Sequence, residues 1–385
     1  MDYNQRSIDL HRELGGKIKI QGKLPLQTIE DLSLAYTPGV AGPCLAIAAD
    51  ERLARELTIK KNSVAVVTDG SAVLGLGNIG PQAALPVMEG KALLFKELAD
   101  IDAYPICLAT QDPDEIIRTV RSIAPGFGGI NLEDIAAPNC FYIERALQDL
   151  GIPVFHDDQH GTAIVLLAAL LNACELTSRN VSHLRIAING AGAAGLAIAQ
   201  LLHDHARETK EKDRLEIVLC DTKGAIHSDR QDLNSEKQLA LSFTNPHSRQ
   251  GPIQDILEGM DVFIGVSQAN LLTAADVRRM AKDPLIFALA NPVPEILPDE
   301  ARKGGVAIMA TGRSDFPNQV NNALVFPGIF RGALDGGKQQ ITTEMKLAAA
   351  SALAQAVGRP AVERILPSVL DRSVAGIVAR AVART

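Results

Sequence analysis

No two cysteines in this 385-residue sequence stand close enough to form a C-x-x-C pair. Cys44, Cys107, Cys140, Cys174 and Cys220 are an odd number, lie far apart and sit mostly in apolar segments. That usage fits reduced core thiols in a cytoplasmic protein rather than a disulfide framework. Long apolar runs are missing too. The N-terminus, MDYNQRSIDLHREL, lacks the apolar core of a signal peptide. The longest apolar run, Ala163 to Ala173, is broken by Asn172 and is too short to span a bilayer, so no membrane segment is expected. Internal repeats and low-complexity tracts are absent, with 31 glycines and 20 prolines spread along the chain. Positive charge is in deficit: the formal net charge is -7 and the basic residues are scattered, which argues against a nucleic-acid surface. What the chain does have is 46% hydrophobic content, enough at this length for two packed cores.

Apolar, β-branched-rich runs alternate with helical patterns, which predicts a parallel α/β architecture. Strands are expected at Val64–Val67, Tyr104–Leu108, Arg185–Asn189, Glu216–Leu219, Val262–Gly265, Ile286–Ala290 and Ala307–Met309. Helices are expected at Gly90–Leu98, Pro113–Ile123, Thr162–Leu176 and Gly195–Arg207. Residues 208–214 read as a charged surface turn and 228–236 as an exposed loop. A boundary is expected near Asp157 to Gly161, where a strand gives way to a loop and then a long apolar helix. It divides the chain into an α/β domain of residues 1–158 and a Rossmann-type parallel-sheet domain of residues 159–385. Beyond about Phe326 the chain turns helical, and this tail can cap either domain.

Two G-x-G-x-x-G strings occur, Gly75-Leu-Gly77-Asn-Ile-Gly80 and Gly190-Ala-Gly192-Ala193-Ala194-Gly195. Context separates them. The second directly follows the strand LRIAIN, opens the helix LAIAQLL and leads to a strand that ends on Asp221. There Gly190 permits a tight turn, Gly192 lets backbone amides approach a pyrophosphate, and Gly195 lets helix and strand pack closely. The phosphates would rest on the positive end of the helix dipole, and Asp221 can accept hydrogen bonds from the adenosine ribose. The first string is separated from its strand by the loop DGSAVL and followed by Pro81. It reads either as a loop presenting amides to a small anion such as a substrate carboxylate, or as a purely structural turn.

Glu133 and Asp134 end the glycine-rich stretch GGINLED, and Asp157 and Asp158 follow the strand-like IPVF. Acids placed after strand ends collect at the carboxyl edge of a parallel sheet. With no cysteine nearby they suit a hard divalent cation, Mg²⁺ or Mn²⁺; solvated acids capping helices are the alternative. The string HDDQH imitates a zinc-protease H-E-x-x-H helix, but IPVF before it and Gly161 after His160 favour a loop. Tyr36 precedes the turn Thr37-Pro38-Gly39. Lys91, among apolar neighbours, is expected just past a helix start, where the dipole, burial and a nearby metal would lower its pKa as a general base requires. Taken singly, the commoner reading of these residue types is a buried tyrosine with its hydroxyl bonded and a surface lysine.

Taken together, AYTPGVAGPCL, TDGSAVLGLGNIG, PVMEGKALLFKELADIDAYPI, FGGINLEDIAAPNCFYIE, IPVFHDDQHGTAI, INGAGAAGLAIA, ALANPVPEILP and TGRSDFPNQVNNALVFPGIF resemble the malic enzymes, most closely the short bacterial form. The resemblance spans nearly the whole chain. It implies oxidative decarboxylation of L-malate to pyruvate and CO₂ with NAD⁺ or NADP⁺ and Mg²⁺ or Mn²⁺, in a homodimer or higher homo-oligomer. By position it implies Lys91 as general base, Tyr36 as general acid, and Glu133, Asp134 and Asp158 as metal ligands. It places Asn291 and Asn322 against substrate or nicotinamide, with Asn321 beside the latter. The longer relatives carry a carboxylate-gripping arginine where this chain has Ala72, so that task would pass to amides near Ser71 to Leu76, including Gly75 and Gly77, or to Arg313. Asp221 leans the cofactor choice towards NAD⁺, against Lys223 two residues on. A malolactic or oxaloacetate-decarboxylating specialist, a binding protein on the same scaffold, and a zinc hydrolase are the rival readings.

Overall fold

The computed structural model describes residues 3–208 and 215–385, so most of the expected 208–214 turn lies outside the described residues. The apolar runs form ten strands, β1 (Ser63–Thr68), β2 (Asp102–Cys107), β3 (Gly129–Leu132), β4 (Val154–His156), β5 (Arg185–Asn189), β6 (Glu216–Asp221), β7 (Gly224–Ala225), β8 (Val262–Gly265), β9 (Leu285–Ala288) and β10 (Ile308–Thr311). β1 to β4 make one sheet in the order β2-β1-β3-β4, all parallel. β5 to β10 make a second sheet in the order β10-β9-β8-β5-β6-β7, parallel except for the short β6–β7 hairpin. β1, β3, β8 and β9 are buried along their whole length, as strands covered on both faces must be. In the second sheet β6 and β8 flank β5 on opposite sides, so the strand order reverses there. The crevice beyond the carboxyl ends of β5 and β8 is where such sheets bind ligands.

Three local readings need correction. The helix expected from Gly90 starts nine residues earlier, running Pro81–Ala99 with Pro81 at its first position. Lys91 therefore sits mid-helix, where the dipole argument carries no weight. HDDQH is not a loop: a helix begins at Asp157 and runs without a break to Leu176, with His156 in extended conformation just before it. The glycine at position 161 is tolerated inside it because a side chain there would collide with the Asp157 carboxylate, 1.8 Å from the place of a Cβ. Residues 228–236 are not simply exposed either; Leu233 is buried, and the helix Ser235–Ala240 begins within them.

The helix Asp157–Leu176 is the strut of the molecule. By length and composition it could cross a membrane, but 72% of its apolar window is buried inside the protein. Its residues Ala163 to Leu170 join one continuous core with Val64 and Phe155 of the first sheet, Phe95 of the helix Pro81–Ala99, and Ile186, Ile264 and Phe287 of the second sheet. Asn172, the polar break in that apolar run, donates to the carbonyls of Ala354 and Ile365 at 3.0 and 2.8 Å, tying the C-terminal helices to the strut. The helix Phe326–Asp335 in turn packs on the first sheet's helix Pro81–Ala99, with edge-to-face rings of Phe95 on Phe326 and Phe330 at 4.7 and 5.4 Å. Replacing Asn172 by Leu leaves the Ile365 carbonyl without a donor among the described residues, while Ala354 keeps the Val357 amide at 3.3 Å, a cost of about 1–3 kcal/mol. Asn172→Leu is expected to lower the midpoint of chemical denaturation with an unchanged slope; an unchanged midpoint would refute the role given to this residue.

Candidate active site

The carboxyl ends of β3 and β4 deliver the acids. Glu133 and Asp134 follow β3 directly, and Asp157 and Asp158 form the first turn of the strut helix. Ligand oxygens of Glu133, Asp134 and Asp158 lie within 4.8 Å of one another. The Asp134 backbone N–H donates to Asp158 Oδ2 at 2.8 Å, while Asp134 Oδ2 is buried with no hydrogen-bond partner. Burial first, helped by repulsion from neighbouring carboxylates and opposed by Lys91, raises the pKa of all three above the ordinary carboxylate range. Three hard oxygen donors, crowded, dehydrated and short of counter-charge, fit a divalent cation such as Mg²⁺ or Mn²⁺.

Lys91 meets this cluster from the side. Its Nζ lies 2.9 Å from Glu133 Oε1, pairs closely with Asp157 Oδ2 and stands 4.2 Å from the centre of the Phe326 ring. Burial alone would pull its pKa down, but Asp157, Glu133 and Asp158 outweigh burial and hold it above the ordinary lysine value. The lowering expected from the sequence does not occur in the protein alone, because two carboxylates contact the ammonium directly. Asn322 Nδ2 donates to the same Asp157 oxygen at 2.5 Å, so Lys91, Asp157 and Asn322 form one chain of contacts. Asn321 faces another task, capping the short helix Asn322–Leu324 by accepting from the Ala323 amide at 2.9 Å.

Two supporting residues have no signal in the sequence pattern. Glu144, buried on the helix Asn139–Ala146, accepts from the His156 amide at 3.0 Å and from Gln159 at 3.2 Å, and lies 2.9 Å from His160 Nε2. His160 and its neighbours outweigh burial and bring Glu144 to about 2, so it stays an anion at the start of the strut helix. His160 is thus engaged by Glu144 and Lys346, and the zinc-hydrolase pairing with His156 finds no support. Glu295 similarly anchors the loops after β8 and β9, accepting from the amides of Ser267 and Ala290 at 3.0 Å each. Glu144 lies on a helix whose periodicity reports only packing, and Glu295 in an irregular segment that has no periodicity to read.

The second glycine string lies at the crevice of the Rossmann-type sheet. Gly190 has φ 119°, and a Cβ there would lie 2.8 Å from the Val266 carbonyl. A Cβ on Gly195 would lie 1.7 Å from the Gly190 carbonyl oxygen, whereas the space at Gly192 is open. Ala193 and Ala194 begin the helix Ala193–Glu208. A close-packed turn with one unfilled position leaves room for a phosphate group over the helix start. Asp221 ends β6 and is already ion-paired with Arg230 and Lys237.

The first string reaches across to the second domain. A Cβ on Gly75 would lie 2.7 Å from the Asn291 carbonyl oxygen, which brings the carboxyl edges of the two sheets together. Within Ser71 to Leu76, the Ala72 amide bonds the Asp134 carbonyl and the Val73 amide the Gly77 carbonyl, so much of the loop's donor capacity is spent internally. Gly75 and Gly77 hold φ of 75° and 79°, so both are needed for the turn itself. Arg313 is bound to Asp315 at 2.6 and 2.8 Å and to the Pro292 carbonyl at 2.8 Å, which weakens it as a free carboxylate clamp.

Tyr36 stands apart from all of this. It caps the helix Ile29–Ala35, is 66% exposed, and its side chain has no hydrogen-bond partner among the described residues. The helices from Tyr3 to Leu57 contain no buried residue, though the arm carries Ile20, Leu26, Ile29, Leu34 and Leu45 on its surface.

A Rossmann-type crevice opening towards a lysine-bearing acidic cluster suits a nicotinamide-dependent oxidoreductase. Known proteins narrow the class. Residues 15–148 match the malic enzyme N-terminal domain and residues 159–385 the malic enzyme NAD-binding domain. The sequence is 52% identical to the bifunctional malic/malolactic enzyme of Bacillus subtilis, over 100% of this chain and 93% of that protein. It is 49% identical to the NADP-dependent malic enzyme of Escherichia coli, over 91% of this chain and 46% of that protein. The crystal structure of the NAD-dependent malic enzyme from Thermotoga maritima superposes with a TM-score of 0.93 at 48% identity, covering 98% of both chains. The chain belongs to the malic enzyme family.

Carboxyls with raised pKa values disfavour the fold as pH climbs past the ordinary carboxylate value of about 4. The metal-free protein is therefore expected to lose melting temperature between about pH 5 and pH 8, and Mn²⁺ to restore it at pH 8. Asp158→Asn should abolish the Mn²⁺ shift, and Asp134→Asn should flatten the metal-free pH dependence. A full Mn²⁺ shift in Asp158→Asn would remove that residue from the ligand set.

Proposed function

We propose that this chain is a malic enzyme that oxidises L-malate with NAD⁺ or NADP⁺ and releases pyruvate and CO₂. The observation that carries the reading is the contact chain Lys91–Asp157–Asn322 beside the Glu133, Asp134 and Asp158 oxygens. Those three acids would hold the divalent cation. When bound, it supplies Lewis acidity and offsets the anionic field that keeps Lys91 protonated. Lys91 then takes the proton of the C2 hydroxyl as that carbon is oxidised. Asp157 and Asn322 fix the amine's direction. Loss of the C4 carboxylate as CO₂ leaves a carbon to be protonated, the task that falls to Tyr36. Asn291, at the junction of the two sheet edges, borders the space between substrate and nicotinamide. The five free cysteines suit a cytoplasmic setting.

The isolated chain leaves Tyr36 exposed, and its N-terminal arm also exposes Ile20, Leu26, Ile29, Leu34 and Leu45. A homodimer in which a second copy covers the arm accounts for both, and places Tyr36 against the partner's reacting atoms. The Bacillus subtilis relative's bifunctional name also favours a second reading, malate converted to lactate with no net reduced cofactor.

Lys91→Ala should lower malate oxidation by about 10²- to 10⁴-fold, the usual worth of a general base. Followed at 340 nm, one reduced cofactor per pyruvate supports oxidative decarboxylation, whereas lactate without reduced cofactor supports the second reading. Mixing inactive Lys91→Ala with inactive Tyr36→Phe protein, after dissociation and reassociation, should recover activity if the site is shared between copies. No recovery would confine each site to one chain.

A further inference from the structure

By sequence, Asp221 accepts hydrogen bonds from a cofactor ribose and repels a 2′-phosphate. In the folded chain its carboxylate is saturated. Oδ1 accepts from the Lys223 amide at 2.9 Å and from Arg230 Nη1 at 2.8 Å. Oδ2 accepts from Arg230 Nη2 at 3.0 Å and from Lys237 Nζ at 2.6 Å. A carboxylate offers about four lone-pair sites, and the chain's own donors fill four. Ribose hydroxyls approaching Asp221 therefore meet an occupied acceptor.

Charge leans the same way. Arg230 spends its other donors on Asp232, at 3.0 and 2.8 Å, and on the Gly224 and Ala225 carbonyls. Lys223 Nζ lies 2.9 Å from the same Asp232. Three cations, Arg230, Lys237 and Lys223, thus surround two carboxylates and leave one positive charge in surplus. Asp221 is firmly ionised, brought to about 2 by Arg230 and Lys237 against the effect of burial. Lys237 is the cation with capacity to spare. Among the described residues its ammonium has only Asp221 as a hydrogen-bond partner, leaving two N–H groups on a partly exposed side chain. Lys223 is two-thirds exposed beside it.

We infer that Lys237 and Lys223 form an anion subsite for a phosphate monoester on the adenosine ribose, with Arg230 holding Asp221 as a neutralised counter-ion. The chain accordingly accepts NADP⁺ at least as well as NAD⁺. The inference rests on the second glycine string being the dinucleotide turn. A 2′-phosphate brings close to two negative charges and three acceptor oxygens, which match the donors left on Lys237 and the exposed ammonium of Lys223.

Calorimetric titration of the purified full chain with 5′-AMP and with 2′,5′-ADP tests this without catalysis. The bisphosphate is expected to bind at least as tightly as 5′-AMP. Lys237→Ala should weaken it by about tenfold, the worth of one charge-assisted hydrogen bond, with little change for 5′-AMP. Lys237→Gln keeps a donor for Asp221 but not the charge, so the same selective loss there separates the subsite from a collapse of the clamp. Weaker binding of 2′,5′-ADP than of 5′-AMP by the unaltered protein, or equal loss of both probes in Lys237→Gln, would overturn the inference. Binding of neither probe by the folded, unaltered protein would instead overturn the dinucleotide turn.

Discussion

Three buried carboxylates, a fourth that is partly buried and one buried lysine occupy a single point where two sheets meet, and the rest of the structure arranges itself around the cost of that placement. Burying an unpaired charge is among the most expensive things a fold can do. Here Lys91 compensates Asp157 and Glu133, Asn131 donates to the other Glu133 oxygen at 2.9 Å, and Asn322 supports Asp157. Two buried carboxylate oxygens, Asp134 Oδ2 and Asp157 Oδ1, are left without a partner among the described residues. An incompletely compensated site of this kind is what a bound cation completes, so the defect in the protein's own pairing and its chemistry have the same cause.

The scaffold holds that point from three directions. β3 and β4 present their carboxyl ends, the strut helix contributes Asp157 and Asp158 from its first turn, and the C-terminal helix Phe326–Asp335 supplies the aromatic face under Lys91. Glu144 sits behind, pinning the start of the strut through the His156 amide. The Rossmann-type sheet closes the fourth side through the contact of Gly75 with Asn291. Long-range packing sets every one of these approaches.

Features carried by local spacing were legible in the sequence. The strand Arg185–Asn189, its glycine turn and the helix after it appear where their periodicity places them, and Gly195 answers a contact with Gly190 only five residues away, although Gly190 itself answers the distant Val266. The acids 133, 134 and 158 converge because residues that follow parallel strands must share one edge. Partnership between distant residues was not legible. Glu144 with His160, Glu295 with two amides, and Arg230 with Asp221 depend on which loops fold back, and hydrophobic periodicity says nothing of that. The direction of the Lys91 shift failed for the same reason: the sequence shows a lysine among apolar neighbours, while the fold adds two carboxylates in direct contact. Tyr36 stands exposed, outside both cores, so packing within one chain says nothing of the role that the resemblance implies for it.

The strut helix also decides how the molecule comes apart. The division drawn from sequence falls between Asp158 and Gln159, which is inside the first turn of a helix whose side chains belong to both cores at once. A cut there would strip the first sheet of its covering helix and leave an apolar face on each fragment. The two units have separate sheets but share one core. They should melt in one step and report damage to each other, so a lesion in the cofactor half reaches the acidic cluster through the rod both halves share.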